Sequence, residues 1–191
     1  MELITKALSN LLAAQPALLE MVPIMGHIQG FVKNLASPER QVSKSSLIIL
    51  RHLCNNRQCC ISIMNQQSVL NNIMTAIKSD PEMTGVACET LNKLFHLEID
   101  TFVHEAIESQ LIPFLLKLLD AGPSSLPSST KAIIVQVLKS MESNETYGEQ
   151  IGGMLNKSSV WSEFRDQKHD LFISNQGAPM YLTCKSRVEV V

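Results

Sequence analysis

The sequence predicts an all-α fold, an armadillo/HEAT-like α-solenoid of about four repeats, and three observations carry that prediction. The first is an echo at a fixed period. The row His27-Ile28-Gln29-Gly30-Phe31-Val32-Lys33-Asn34-Leu35 aligns with Val69-Leu70-Asn71-Asn72-Ile73-Met74-Thr75-Ala76-Ile77 and with Leu111-Ile112-Pro113-Phe114-Leu115-Leu116-Lys117-Leu118-Leu119, at an offset of forty-two residues each time. The second is chemical. The columns Ile28/Leu70/Ile112, Phe31/Ile73/Leu115, Val32/Met74/Leu116 and Leu35/Ile77/Leu119 are apolar in every row, and steps of three and four place them on one helix face. The third is composition: only 8 glycines in 191 residues, 5% aromatics, and an apolar set led by Leu, which favours helix over strand. Helical units repeating near forty residues cannot bury their apolar faces alone, so they stack.

Taken in order, Met1 to Ala14 carries Leu3, Ile4, Ala7, Leu8, Leu11 and Leu12 on one helical face and ends at Gln15-Pro16, because the residue before proline leaves the α region. Residues 1–14 read as the last helix of a preceding repeat. A triplet then recurs. Short helices carry the pairs Leu18/Leu19, Cys60/Ile61 and Phe102/Val103, middle helices are the aligned rows, and inner helices are expected over Pro38–Cys54, Pro81–His96 and Ser128–Met141. Their starts are marked by Ser37, by Asp80 and by Ser128-Ser129, residue types that cap free backbone N–H groups, with proline tolerated at the first helical position. Leu50/Leu91/Leu138 and Leu53/Leu94/Met141 form the inner-helix core columns. Three unequal helices per unit follow the armadillo plan, whereas two would follow the HEAT plan.

The run from Asp120 to Ser129 is a polar Gly/Pro/Ser break, read as a loop that lengthens the third unit. A fourth unit has a short helix over Glu145–Leu155 and a middle one over Ser159–Ile173, with Val160, Trp161 and Phe164 in the columns of Leu111, Ile112 and Leu115. Trp161 is therefore expected in the core. Repeats thus occupy residues 1–174, and 175–191 is expected to be a disordered tail.

A net charge of −2 without a basic run argues against nucleic acid, whose phosphates need clustered Lys and Arg. The cysteines Cys54, Cys59, Cys60, Cys88 and Cys184 are odd in number and lie mostly inside helical patterns, which fits reduced cytosolic thiols. Cys60 shares an apolar column and should be core, with Cys59 partly exposed. Met1 to Lys6 lack a basic stretch leading into an apolar core, so no secretory leader is expected, and no apolar run reaches the length of about 18 residues that a membrane helix needs. Asn144-Glu145-Thr146 and Asn156-Lys157-Ser158 match a glycosylation pattern short enough to arise by chance. The histidines His27, His52, His96, His104 and His169 form no Ser–His–Asp, Cys–His or metal-ligand spacing, and no phosphate-binding or nucleophile-elbow motif occurs. No catalytic group, cofactor or metal site is expected, and hence no enzyme.

What remains is a surface. Inner helices line the concave side of an armadillo array, and in peptide-binding armadillo proteins an asparagine before the second core leucine grips the partner's backbone. Here those positions hold His52, Lys93 and Ser140. With the asparagine ladder absent, Arg51, His52, Asn92, Lys93 and Ser140 remain as candidate inner-groove contacts in a mildly basic face.

The C-terminal text is distinctive: Tyr147-Gly148-Glu149-Gln150 followed by Ser158-Ser159-Val160-Trp161-Ser162-Glu163-Phe164-Arg165-Asp166-Gln167-Lys168-His169-Asp170-Leu171-Phe172-Ile173-Ser174. It resembles the closing helical repeats of the receptor-mediated endocytosis protein 8 family, endosomal J-domain proteins of DnaJ subfamily C. The likeness extends back over Met1 to Ser174. It implies a segment of a co-chaperone peripheral to the early endosome, facing the cytoplasm, with sorting-nexin, clathrin-coat or actin-regulatory proteins as partners. The family recruits a heat-shock cognate chaperone through a J domain. The His-Pro-Asp tripeptide that such a domain requires is absent from this sequence. The family's Gly-rich tail is represented only by Tyr181-Leu182-Thr183, and Cys184 to Val191 departs from it. The alternative to a protein-interaction scaffold is a membrane-surface or lipid-binding module using Lys117, Lys131 and Lys139, which Asp120 and Glu142 dilute.

The alignment is testable at one position. Leu94→Asp places an uncompensated charge in a core column, at a cost of about 4 kcal/mol or more. Circular dichroism should show the cooperative thermal transition lost, and a melt identical to wild type would show the columns misaligned.

Overall fold

Among the described residues, eleven α-helices in a repeating short–middle–long order make up the regular structure, joined in places by 3-10 turns. The computed structural model describes residues 2–15, 24–121 and 125–165. The helices are α1 (Glu2–Ala14), α2 (Ile28–Asn34), α3 (Arg40–Leu53), α4 (Arg57–Met64), α5 (Val69–Ser79), α6 (Thr84–Phe95), α7 (Asp100–Glu108), α8 (Leu111–Asp120), α9 (Ser128–Glu142), α10 (Gly148–Leu155) and α11 (Ser159–Arg165). Three-helix units are therefore present, and the chain is an α-solenoid.

The long helices stack in sequence: α1 packs on α3, α3 on α6 and α6 on α9. The middle helices do the same, α2 on α5, α5 on α8 and α8 on α11. Between the layers lie the predicted columns. Leu50, Leu91 and Leu138 are fully buried, as are Leu53, Leu94 and Met141, and so are Ile28, Leu70 and Ile112. Each such side chain stabilises the fold by roughly 1.5–3 kcal/mol relative to exposure. Phe31 and Leu116 are the partly exposed members of the middle-helix columns. Trp161 is buried, as its column requires.

Polar contacts between units repeat at about the same period as the apolar ones. Arg40 bonds Asp80 through Nε at 2.6 Å and Nη2 at 2.9 Å, and its Nη2 also reaches Glu82 at 2.9 Å. Asn72 donates to the Val32 carbonyl at 3.1 Å. Asp100 accepts from Asn144 at 2.9 Å and from the Thr146 hydroxyl at 2.6 Å. The backbone repeats as well: Ser68 and Gln110, forty-two residues apart, take left-handed φ of 64° and 62° just before α5 and α8. Arg40's hydrogen bond holds the buried Asp80 carboxyl below its ordinary range. A depressed folded-state pKa adds stability above the ordinary carboxylate range, and that stability is lost as pH falls through the depressed value.

Several sequence expectations need correction. Asp80 does cap, accepting from Glu82 N at the start of the 3-10 turn Pro81–Met83, but that turn and not α6 follows it directly. Ser37 is not the N-cap of α3. Glu39 is, and the Ser37 hydroxyl accepts from Glu39 N two residues on, closing a local turn. Ser128 lies inside α9, with Pro127 at the cap position. The fourth short helix begins at Gly148 and not at Glu145, because Asn144 Oδ1 takes the N–H groups of Thr146 and Tyr147 and folds 145–147 into a turn. His27 ends a 3-10 turn, Ile24–His27, and does not open α2. Cys59 is buried, since α4 tucks both adjacent thiols inward. Leu18 and Leu19, His169, the expected helix beyond Arg165 and the expected tail lie outside the described residues.

Asn144 also accounts for one of the glycosylation patterns. It is buried with both ends of its amide engaged, so it serves as the inter-unit tie and turn-former.

Two glycines of α10 give opposite expectations. A Cβ at Gly148 would sit 2.3 Å from the Glu142 carbonyl oxygen, whereas one at Gly153 meets nothing within 4 Å. Gly148→Ala should destabilise by about 1–3 kcal/mol through forced backbone movement. Gly153→Ala should stabilise by about 0.5–1 kcal/mol through helix propensity. Urea denaturation of both variants checks this, and equal shifts would contradict the close approach of α10 to α9.

Candidate functional site

The C-terminal turns of α3 and α6 bring most of the candidate polar residues together. α3 ends with Cys54 N bonded to the Leu50 carbonyl and Asn55 N to the His52 carbonyl, which leaves the Arg51 carbonyl without the usual i+4 donor. Lys93 of α6 supplies one: its Nζ donates to Arg51 O at 3.2 Å and to Asn55 Oδ1 at 2.7 Å. A cation at a helix C-terminus is also favoured by the helix dipole. Beside it, Arg51 Nη1 pairs with Glu89 Oε2 at 3.0 Å, with side-chain exposures of 30% and 43%. That partial exposure makes the pair weak and exchangeable.

His52 lies half-buried against this pair of cations, and its Nε2 is shielded from water without a hydrogen-bond partner. Burial pulls its pKa down, and the charges of Arg51 and Lys93 pull it further, so the ring is neutral near pH 7. Burial also lowers Lys93. Under the turn, the Cys60 thiol donates to the Cys54 carbonyl at 3.2 Å. The hydrogen bond with Cys60 and burial push the Cys54 thiol up. Burial pushes Cys88 up to about 12. Cys54 and Cys88 are thus packing groups, inert while protonated, whereas the hydrogen bond with Cys54 and the charges of Lys93 and Arg57 draw the Cys60 thiol down.

Of the five candidates, Arg51, His52 and Lys93 therefore form one cluster. Asn92 lies next to Lys93 on α6, half-buried, and Ser140 stands a full unit away on α9. Two members of the cluster, Glu89 and Asn55, were not singled out from the sequence. Glu89 and Lys93 stand four apart on α6, an i,i+4 spacing of opposite charges that was legible. Asn55 carried no signal, because it joins only through the turn after α3.

Elsewhere, His104 is exposed and rests on the Tyr147 ring at 5.5 Å between centroids, and His27 and His96 are exposed. Lys117 sits on α8 and Lys131 and Lys139 on α9. Among the described residues no group of His, Cys, Asp and Glu is arranged to hold a metal ion. No described helix is long and apolar enough to cross a membrane.

A family model described as armadillo-like matches residues 2–174. The chain is also similar to the DnaJ homolog subfamily C GRV2 of Arabidopsis thaliana, 26% identical over 156 residues, covering 72% of this chain. It spans only 6% of that relative's length. No solved structure matches.

The His52 environment predicts a titration. Its imidazole should titrate below the ordinary histidine value of about 6.5, and Lys93→Met should move the midpoint upward by removing a nearby cation. Two-dimensional NMR of the ring protons reads both. A midpoint at the ordinary value, indifferent to Lys93, would contradict the cluster.

Proposed function

The chain belongs to the armadillo-like family, and from that membership we propose that it is a non-enzymatic protein-interaction module whose partner lies along the long helices α3, α6 and α9. The observation that carries this reading is the half-buried polar cluster of Arg51, His52 and Lys93, organised across two successive units. Its groups are held by one another in a way suited to recognition, with no nucleophile–base pair among them. Asn92 and Ser140 extend the same face to either side as further contacts.

The finer part of the proposal rests on the likeness to DnaJ subfamily C and on the C-terminal motif. In this reading the segment belongs to an endosomal co-chaperone that acts in clathrin and sorting-nexin coat remodelling. It supplies a docking surface at the early endosome while a J domain elsewhere engages the heat-shock cognate chaperone. Residues 1–174 form the repeat array in this proposal, and α1 is the long helix of a further unit. In support of that role, α1 packs on α3 as α3 packs on α6, and it leaves Leu3 and Leu11 exposed.

Affinity capture from cytosol, with wild type beside the double variant Arg51→Ala/Lys93→Ala, tests the proposal. Wild type should retain sorting-nexin, coat or actin-regulatory proteins, and the double variant should lose at least about 90% of them, as expected for a contact worth about 1.4 kcal/mol. Recovery of none of those classes would remove the endosomal assignment.

A further inference from the structure

The charges of this array are sorted by layer. The long helices α1, α3, α6 and α9 carry seven basic residues against three acidic ones, although the whole chain has a net charge of −2. The short helices α4, α7 and α10 carry the opposite excess, with Asp100, Glu105, Glu108 and Glu149 against Arg57 alone. Aligning the long helices on Leu50, Leu91 and Leu138 brings Arg51, Asn92 and Lys139 to equivalent places one residue on, followed by His52, Lys93 and Ser140. This stripe presents one cation per unit across three units, Arg51 and Lys139 one residue past the core leucine and Lys93 two residues past it. Of the carboxylates beside them, Glu89 is already bound to Arg51 at 3.0 Å, and Glu142 stands three residues from Lys139 on α9.

We infer that the long-helix face takes an extended acidic peptide segment, one of whose carboxylates displaces Glu89 from the Arg51 guanidinium. This rests on the protein-interaction reading above and names the chemistry of the partner. Glu89 is a placeholder held within the chain. It keeps Arg51 aimed across the gap between α3 and α6 and neutralises it when no partner is bound. Only the Nη1 donor of Arg51 is used in that pair, and a guanidinium carries five donors suited to bidentate carboxylate recognition. Lys93 spends two of its three donors, on Arg51 O and Asn55 Oδ1. Because the Arg51–Glu89 pair is partly exposed, breaking it costs little, and an incoming carboxylate recovers the interaction. The half-buried position of Lys93 and His52 favours a narrow chain over a lipid surface, since a flat headgroup layer reaches fully exposed lysines first.

Fluorescence anisotropy on the full chain tests the inference with a fluorescein-labelled ten-residue peptide alternating Glu with Ser, its Gln–Ser isostere, its Lys–Ser counterpart, and phosphatidylserine vesicles as competitor. The Glu–Ser peptide should bind, more weakly at higher salt, and the Gln–Ser and Lys–Ser peptides should not. Arg51→Ala should weaken the Glu–Ser peptide about tenfold. Glu89→Gln should tighten it about fivefold, because the internal competitor is removed. Arg51 and Glu89 side chains are partly exposed, and unchanged thermal melts will confirm that the variants fold. Equal binding of all three peptides, no binding of the Glu–Ser peptide, or a Glu89→Gln variant that binds no tighter overturns the inference. So does displacement by vesicles that depends on Arg51, which would mark a lipid site. If affinity capture retains protein partners and the Arg51→Ala/Lys93→Ala variant loses them while the Glu–Ser peptide does not bind, the interaction reading stands and the acidic-peptide inference alone fails.

Discussion

The stacking of one long helix on the next is the constraint from which the remaining features follow. Leu50, Leu91 and Leu138 are each fully buried, but no single unit encloses them. α3 and α9 cover α6 from opposite sides, and the middle helices close the layer behind. In a linear array each unit's stability is shared with its neighbours. A defect in one column therefore exposes two units at once, and α1, the first described helix, leaves Leu3 and Leu11 in water.

Fixing the period of the apolar columns also fixes where polar groups meet. Arg40 finds Asp80, Asn72 finds Val32, Lys93 finds Arg51, and Asn144 finds Asp100, each about one repeat away. Those contacts do different work. Asp80 and Asn144 are buried, so satisfying them is needed to avoid the cost of unpaired polar groups. Arg51 and Glu89 are partly exposed and contribute little to stability. In the proposed reading, that freedom from structural duty is what leaves them available to a partner.

Much of the fold was legible because it rests on periodicity. The apolar columns, the unit length and the core place of Trp161 follow from spacing alone, and α2, α5 and α8 sit on the aligned rows. Details set by local hydrogen bonds were not legible. Ser37 looks like a cap but spends its hydroxyl two residues on, and Asn144, read as part of a chance motif, folds the 145–147 turn. Cys59 was placed half outside because a period of 3.6 does not specify how deeply a short helix is sunk between its neighbours. At the candidate face the inner-helix register gave Arg51, His52 and Lys93, whereas Asn55 joins through a turn whose geometry no sequence pattern encodes.

The face is thus a by-product of the stack. The same register that buries Leu50 and Leu91 brings the C-terminal turn of α3 under Lys93 and presents a positive strip along the long helices. Methyl-methyl nuclear Overhauser spectroscopy on leucine- and methionine-labelled protein tests this most directly. The account predicts cross-peaks linking leucines of α3 to those of α6, and of α6 to Leu138 and Met141 of α9, with α3 to α9 silent. Strong α3-to-α9 cross-peaks would instead describe a closed helical bundle and contradict the linear array.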